Sequence, residues 1–270
     1  MKRYRILQVC CILIFMVAIT ACGNSNNANT LSDNSSTSAV KKAPPLLPTP
    51  ARSNVTDIKL SIAQVPGLAD SKDKGTLIDL AKAMAGEYKE GKITWNVYPF
   101  RRSIDNVSSG IADVHFPLIY DPTLKEDVNY MYSTGNIYKM IIVLYSNVNN
   151  KDINAQNIDK YKAEVLYGHS KYFNNLPETS YDAGLKKVDA GRLDVFIGPM
   201  KGSDATIKNL NLKNIKRTKY REFDVKMILS RNDKGKQVDK ILSGIIAKLN
   251  ANGKYQQIMG NLVNLKYVDW

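Results

Sequence analysis

Apolar and polar positions alternate along this chain in two rhythms. Residues 58–63 (IKLSIA) repeat every second position, the period of a strand with one buried face. Residues 76–85 follow, with Leu77, Leu80, Ala81 and Met84 at helical spacing, and residues 92–98 make a second strand. The next stretch, YPFRRSIDNVSSGIADVHFPLIYDPTLK at 98–125, organises the rest. Ile104, Val107 and Ile111 predict one apolar helix face, and Gly110 can take the left-handed conformation that closes a helix. The run 114–119 suits a strand covered by helices. Pro117 inside it predicts that the strand ends early or lies at a sheet edge.

The same device returns further on, where VSSGIADV at 107–114 is echoed by VDAGRLDV at 188–195. Each copy follows a helical pattern and leads into an apolar run that stops at a proline, Pro117 or Pro199. A G-x-x-D turn is common by itself; its repetition with similar flanks points to two α/β lobes built alike. Between and beyond the copies, 138–145 (YKMIIVLY) and 162–167 read as strands, and 181–190 as a helix. Residues 194–197 and 223–229 are further strands, and 204–210 a short helix. Helices at 237–250 and 254–262, separated by Asn252-Gly253, close the pattern.

Five blocks carry a resemblance: PGLADSKDKGTLIDLAKAMA, PFRRSIDNVSSGIAD, VLYGHSKYF, GRLDVFIG and KILSGIIAKLNANGKYQQIMGNL. Their order and spacing over residues 57–262 resemble the bacterial extracellular solute-binding proteins of family 3, the polar amino acid type. The resemblance implies an α/β, type II periplasmic-binding fold of two lobes, joined by a two-strand hinge around a central ligand cleft. Lobe 1 would comprise 55–146 and 231–270, and lobe 2 would comprise 147–230. The implied function is capture of a small polar or carboxylate-bearing solute for an ABC transporter permease, with amino acid transport as the class. Alternatives on the same fold are a ligand sensor signalling to a membrane partner, and an enzyme of dehydratase or lytic transglycosylase type.

The resemblance also implies site residues. Phe100 stands where the family stacks an aromatic ring on its ligand; the alternative is a core phenylalanine at a helix start. Lys125 stands where an arginine commonly grips the ligand carboxylate, keeping the charge and losing the fork; the alternative is a solvated loop lysine. Tyr120 replaces a small hydroxyl residue and would narrow the cleft. One of Arg101 and Arg102 would point at the cleft, with Arg101 as the candidate. The turn Gly168-His169-Ser170 is similar to one whose hydroxyl and N–H groups meet a carboxylate. Pro199 falls where the family places the aspartate that receives an α-ammonium, and Asp204 lies five residues on. That departure argues against a standard α-amino acid, because an ammonium unpaired in a closed cleft is costly. His115, on the apolar run, reads as a core histidine.

Composition sets the compartment. Lys2, Arg3 and Arg5 precede an apolar run at 9–19, and Ile19-Thr20-Ala21-Cys22 resembles a lipobox. This is a signal peptide pattern over 1–21, too short for a comfortable membrane span. It implies a lipoprotein, palmitate-type acylation at Cys22, and a membrane-anchored place in the periplasm or at the cell surface. Residues 22–54, rich in Asn, Ser and then Pro, read as a disordered tether. Of three cysteines, Cys10 and Cys11 lie within the signal, so a mature chain has neither a disulfide nor a zinc–cysteine site to offer. The formal charge is +13, and the signal carries three cations and no acid, leaving +10 spread along the mature chain. Such a surface attracts anions, while the secretory signal argues against nucleic acid. Metalloprotease, nucleophile-elbow and phosphate-loop motifs are missing, so neither an enzyme nor a cofactor is expected. A monomer is expected. With labelled palmitate fed to cells, wild type should carry label and Cys22→Ala none; label on both or on neither refutes lipidation.

Overall fold

The computed structural model of the chain describes residues 57–269; Cys22, the signal segment and the tether lie outside the described residues. Alternation in β1 (Asp57–Ala63) lasts only to Leu60, beyond which both faces are covered. After α1 (Thr76–Glu87) come β2 (Lys92–Tyr98), α2 (Phe100–Ser108), β3 (Val114–Tyr120), β4 (Tyr130–Tyr132) and β5 (Tyr138–Asn147). Then follow β6 (Ala163–Leu166), β7 (Glu178–Thr179), α3 (Tyr181–Asp189), β8 (Val195–Pro199) and α4 (Met200–Leu210). The long strand β9 (Ile215–Ser230) leads to α5 (Asp233–Ala251) and α6 (Lys254–Val263). Among the described residues no helix is long and apolar enough to cross a membrane.

The sheet runs β2-β1-β3-β9-β5-β8-β6-β7, with β4 added to β9. Strands β1, β2 and β3 are mutually parallel, as are β6, β7 and β8. These parallel halves are the cores of two lobes, and only β5 and β9 join them. The two pair antiparallel from Tyr138↔Val225 to Asn147↔Ile215. Their register shifts once, between Ile142 and Val143, leaving Tyr220 as an extra residue. A bulge is where paired strands bend most easily, so the waist has a built-in flexing point.

The repeated G-x-x-D has a structural cause. Gly110 (φ +75°) and Gly191 (φ +67°) adopt the left-handed conformation just past α2 and α3. Each aspartate then clips the strand to a parallel neighbour. Asp113 N–H donates to Lys59 O (2.9 Å) while Lys59 N–H donates to Asp113 Oδ2 (2.8 Å). In the other lobe Asp194 N–H donates to Lys162 O (3.2 Å) and Lys162 N–H to Asp194 Oδ2 (2.9 Å).

Three expectations need correction. Pro117 neither ends β3 nor marks an edge, because β3 lies between β1 and β9 and continues to Tyr120. The ladder instead shifts between His115 and Leu118, so a bulge absorbs the missing N–H. Ile111, read as part of a helix face, lies beyond the end of α2 and is 62% exposed. The buried face of α2 is Phe100, Ser103, Asn106 and Val107, and its two polar members are hydrogen bonded. Helix α5 starts earlier than its apolar period suggests, because Asn232 Oδ1 accepts from Gly235 N–H (2.8 Å).

After α6 the chain leaves lobe 1 and ties down on lobe 2. Leu265 and Tyr267 pack against the lobe 2 core, and Tyr267 Oη donates to Arg217 O (3.0 Å). The Arg217 guanidinium donates to Val268 O and to Asp204, which also accepts from Tyr145 Oη (2.8 Å). The Arg217 side chain is 7% exposed. Arg217→Met would leave the half-buried Asp204 carboxylate without its charged donor, a loss of about 2–3 kcal/mol. At about 2–4 °C per kcal/mol for a domain of this size, the unfolding midpoint should fall by roughly 5–10 °C. A calorimetric scan within 1–2 °C of wild type would show (on roughly that conversion) that the pair contributes nothing net.

Candidate functional site

Loops at the carboxyl ends of the parallel strands of both lobes face one another, the usual place for a ligand in such sheets. A pocket of about 400 Å³, counting its open mouth, lies there. Phe100 and Pro117 of lobe 1, His169 and Met200 of lobe 2, and Tyr138 and Met140 of β5 are on its wall. The space inside that a water-sized group can reach is about 20 Å³, close to room for a single water. The lobes are therefore closed on each other.

Phe100 makes much of that closure. Its ring lies 5.6 Å from His115 and 4.9 Å from His169, so it bridges the lobes. Gly168 is required beneath it: φ is +79°, and a Cβ there would stand 2.7 Å from the Phe100 ring. The turn expected to receive a ligand carboxylate already holds one. Glu178 Oε1 accepts from Gly168 N–H (3.0 Å) and Ser170 N–H (3.2 Å), while Ser170 Oγ donates to Leu176 O (2.7 Å). Parallel pairing of β6 with β7 brings Glu178 there. Arg101, mostly exposed, reaches Glu178 at only 4.0 Å.

The two histidines are buried and half satisfied. His169 Nδ1 lies 3.0 Å from Tyr167 O, and a carbonyl only accepts, so Nδ1 carries the proton and Nε2 presents a lone pair. Asn106 Nδ2 donates to Ser61 Oγ (3.1 Å), which is 3.0 Å from Ser103 Oγ, itself 2.7 Å from His115 Nδ1. Among the described residues, Nε2 of each histidine has no partner, nor does Tyr138 Oη. His115 is thus not the satisfied core histidine that its place on an apolar run suggests. Burial lowers His115 to about 3, helped by the proximity of His169, and lowers His169 to about 4.

A tyrosine seam closes the same interface. Tyr172 Oη of lobe 2 donates to Ile119 O (2.7 Å) and so accepts from Tyr132 Oη of lobe 1 (2.7 Å). Lys171 Nζ donates to Tyr130 Oη (2.7 Å) and stands 5.2 Å from the Tyr130 and Tyr172 ring centres. Desolvation lowers the Lys171 pKa. Tyr120 meets this seam edge-on against Tyr132 (5.0 Å), with Lys226 Nζ over the Tyr120 ring at 4.2 Å. None of these residues except Tyr120 stood out in the sequence, because tyrosines at strand ends carry no period of their own.

The remaining candidates fall elsewhere. Lys125 is exposed in the loop after β3, off the pocket wall, with no partner among the described residues. Pro199 lines the pocket and caps the start of α4. Asp204 is held by Arg217 and Tyr145, and Glu126 pairs with Arg231 (2.8 Å), so neither is a free acid. Among the described residues, no group of three or more His, Cys, Asp or Glu could hold a metal ion.

No protein-family model and no curated protein matches the chain. Solved structures do. A histidine kinase sensor domain with similarity to periplasmic binding proteins is 14% identical, with 78% of this chain and 98% of that chain covered and a TM-score of 0.66. An ancestral arginine-binding protein bound to arginine is 16% identical over 77% and 99%, with a TM-score of 0.62. The GluR0 ligand-binding core from Nostoc punctiforme in complex with L-glutamate is 16% identical over 77% and 100%, with a TM-score of 0.61. The fold is thus the two-lobed periplasmic-binding architecture.

Both histidine values lie below the ordinary 6.5, so on acidification the unfolded chain takes up protons first. Stability from burying them neutral is complete above about pH 6.5 and lost as pH falls toward 4 and 3, by up to about 1.4 kcal/mol per pH unit per histidine. The unfolding midpoint should be level from about pH 8 to 7 and decline below about 6.5, before most carboxylates titrate. His169→Gln should roughly halve that slope. An unaltered slope would mean that His169 is not buried neutral.

Proposed function

We propose that the chain is an extracytoplasmic solute-binding protein that captures a small polar solute between its lobes and presents it to an ABC importer. One observation carries the reading: a pocket walled by both lobes sits beside a two-strand waist bulged at its midpoint. A ligand touching both walls favours the closed arrangement, and the bulge gives the lobes a place to hinge. Structures of the same fold include proteins bound to arginine and to glutamate, and the substrate-binding protein of an amino acid ABC transporter. A tether after a lipidated Cys22 would hold such a receptor near a membrane permease. The acids Asp204, Glu126 and Glu178 are all engaged in structural pairs, which supports binding rather than catalysis.

A sensor reading has one observation in its favour, the likeness to a kinase sensor domain. Loss of uptake on deletion of the gene supports the importer; intact uptake with a lost transcriptional response supports the sensor.

A thermal-shift screen of amino acids, carboxylates, amides and polyols tests the receptor directly. A ligand at one hundred times its Kd should add about 2.7 kcal/mol, raising the midpoint by roughly 5–10 °C. The hit should also reduce the radius of gyration in small-angle scattering. Proven binding with an unchanged radius would refute closure.

A further inference from the structure

Resting on that receptor reading, we propose that the pocket takes a solute whose buried head is uncharged, a hydroxyl or a primary amide on an apolar body, and not an α-amino acid. The groups that would grip an amino acid are spent or missing, apart from the backbone N–H groups at the start of α4. The N–H groups of the Gly168–Ser170 turn are occupied by Glu178, so a ligand carboxylate finds no donors there. Among the described residues no acid lines the pocket, so an ammonium finds no acceptor of opposite charge there. The cations on the wall, Lys139 and Lys201, keep their side chains exposed, and Lys139 is paired with Asp224 (3.0 Å). A charge buried past them would go unpaired at high cost.

What the wall does offer is two residues with an unused polar atom each. Tyr138 Oη and His169 Nε2 both belong to residues on this pocket, both are buried, and neither has a partner. His169 Nε2 only accepts, because its proton is held at Nδ1 by Tyr167 O. The Tyr138 phenol can donate. A primary amide carries both complements, an N–H for His169 and a carbonyl for Tyr138, and a hydroxyl carries donor and acceptor in one group. A carboxylate would set its lone pairs against the lone pair of His169. The rest of the wall is apolar, including Val65, Leu68, Phe100, Met140, Met200 and Leu262. Buried polar atoms left unpaired in an empty protein lower its stability, so a site that keeps two of them has a use for them when filled.

The bland competitor is a trapped water that satisfies the pair. It makes the opposite forecast for Tyr138→Phe. If the hydroxyl is unsatisfied until solute arrives, the ligand-free mature variant should unfold at the wild-type midpoint or above it. A midpoint several degrees lower would show that Oη is already bonded, and would overturn the proposal. The second arm titrates wild type and Tyr138→Phe calorimetrically with isovaleramide, isovalerate, L-leucine and every hit of the solute screen. Uncharged solutes should bind, isovalerate and leucine at least tenfold more weakly than isovaleramide, and Tyr138→Phe should weaken uncharged solutes about tenfold, the equivalent of about 1.4 kcal/mol. Tighter binding of an ionised solute, unaffected by Tyr138→Phe, overturns the uncharged head and leaves the receptor standing. Binding of nothing in the screen overturns the receptor reading and this one with it.

Discussion

The ladder between β5 and β9 is the constraint on which the rest depends. Ten residue pairs, from Tyr138↔Val225 to Asn147↔Ile215, carry the connection between the two parallel half-sheets. Hydrogen bonds along a ladder resist shear, while the bulge at Ile142/Val143 concedes bending. Relative motion of the lobes is thereby reduced to something close to one hinge. The C-terminal strap, running from α6 to Arg217 and Asp204, meets lobe 2 beside that waist and not at the far rim of the cleft. It can hold the base of the hinge while leaving the rim free to open.

Within each lobe the carboxyl ends of the strands are located by the same small device. Asp113 and Asp194 lock the first residues of β3 and β8 against Lys59 and Lys162. Everything downstream of the clip, Pro117 to Tyr120 in one lobe and Pro199 to Met200 in the other, is then presented at the cleft. The aspartates of the repeated motif bind no solute. They fix the register that sets the walls, and a slip by one residue would turn every side chain to the opposite face.

How much of this was legible depended on whether the signal was local. The helix–glycine–aspartate–strand units, the closing helices and the apolar β5 all announce themselves by period or by turn residues. The first half of β9 does not: Lys216 to Glu222 is mostly charged, because a strand at a narrow waist stays half exposed outside the cover that the C-terminal strap gives Arg217, and needs no apolar alternation. Three-residue β4 is too short to carry a period. At the site, Phe100, His169 and Pro199 were found through their places in recurring blocks. Glu178 was not, since only the pairing of β6 with β7 brings its carboxylate onto the Gly168 turn. Tyr138 looked like one more apolar strand residue; its hydroxyl becomes conspicuous only once it is seen buried without a partner among the described residues. Lys125, chosen by position in a family pattern, is an exposed loop lysine, and the ammonium at the lobe interface belongs to Lys171.

The lobe-to-lobe contacts have a consequence for affinity. Phe100 against His169, Tyr132 with Tyr172, and Lys171 with Tyr130 are lobe-to-lobe contacts made by the protein alone. They add to the stability of the closed arrangement, and a solute must enter through the open one. Apparent affinity is reduced by the fraction of molecules in the competent state. Contacts at the tyrosine seam survive when a solute occupies the pocket, so they aid the bound state as well as the empty one. The Phe100–His169 contact is different, because it stands on the pocket wall and must yield some of its space to the solute's apolar body. The seam therefore tunes how readily the lobes part, and Phe100 tunes what can take its place. Separating the two lets the seam set how readily the lobes part while the pocket wall sets what they close on.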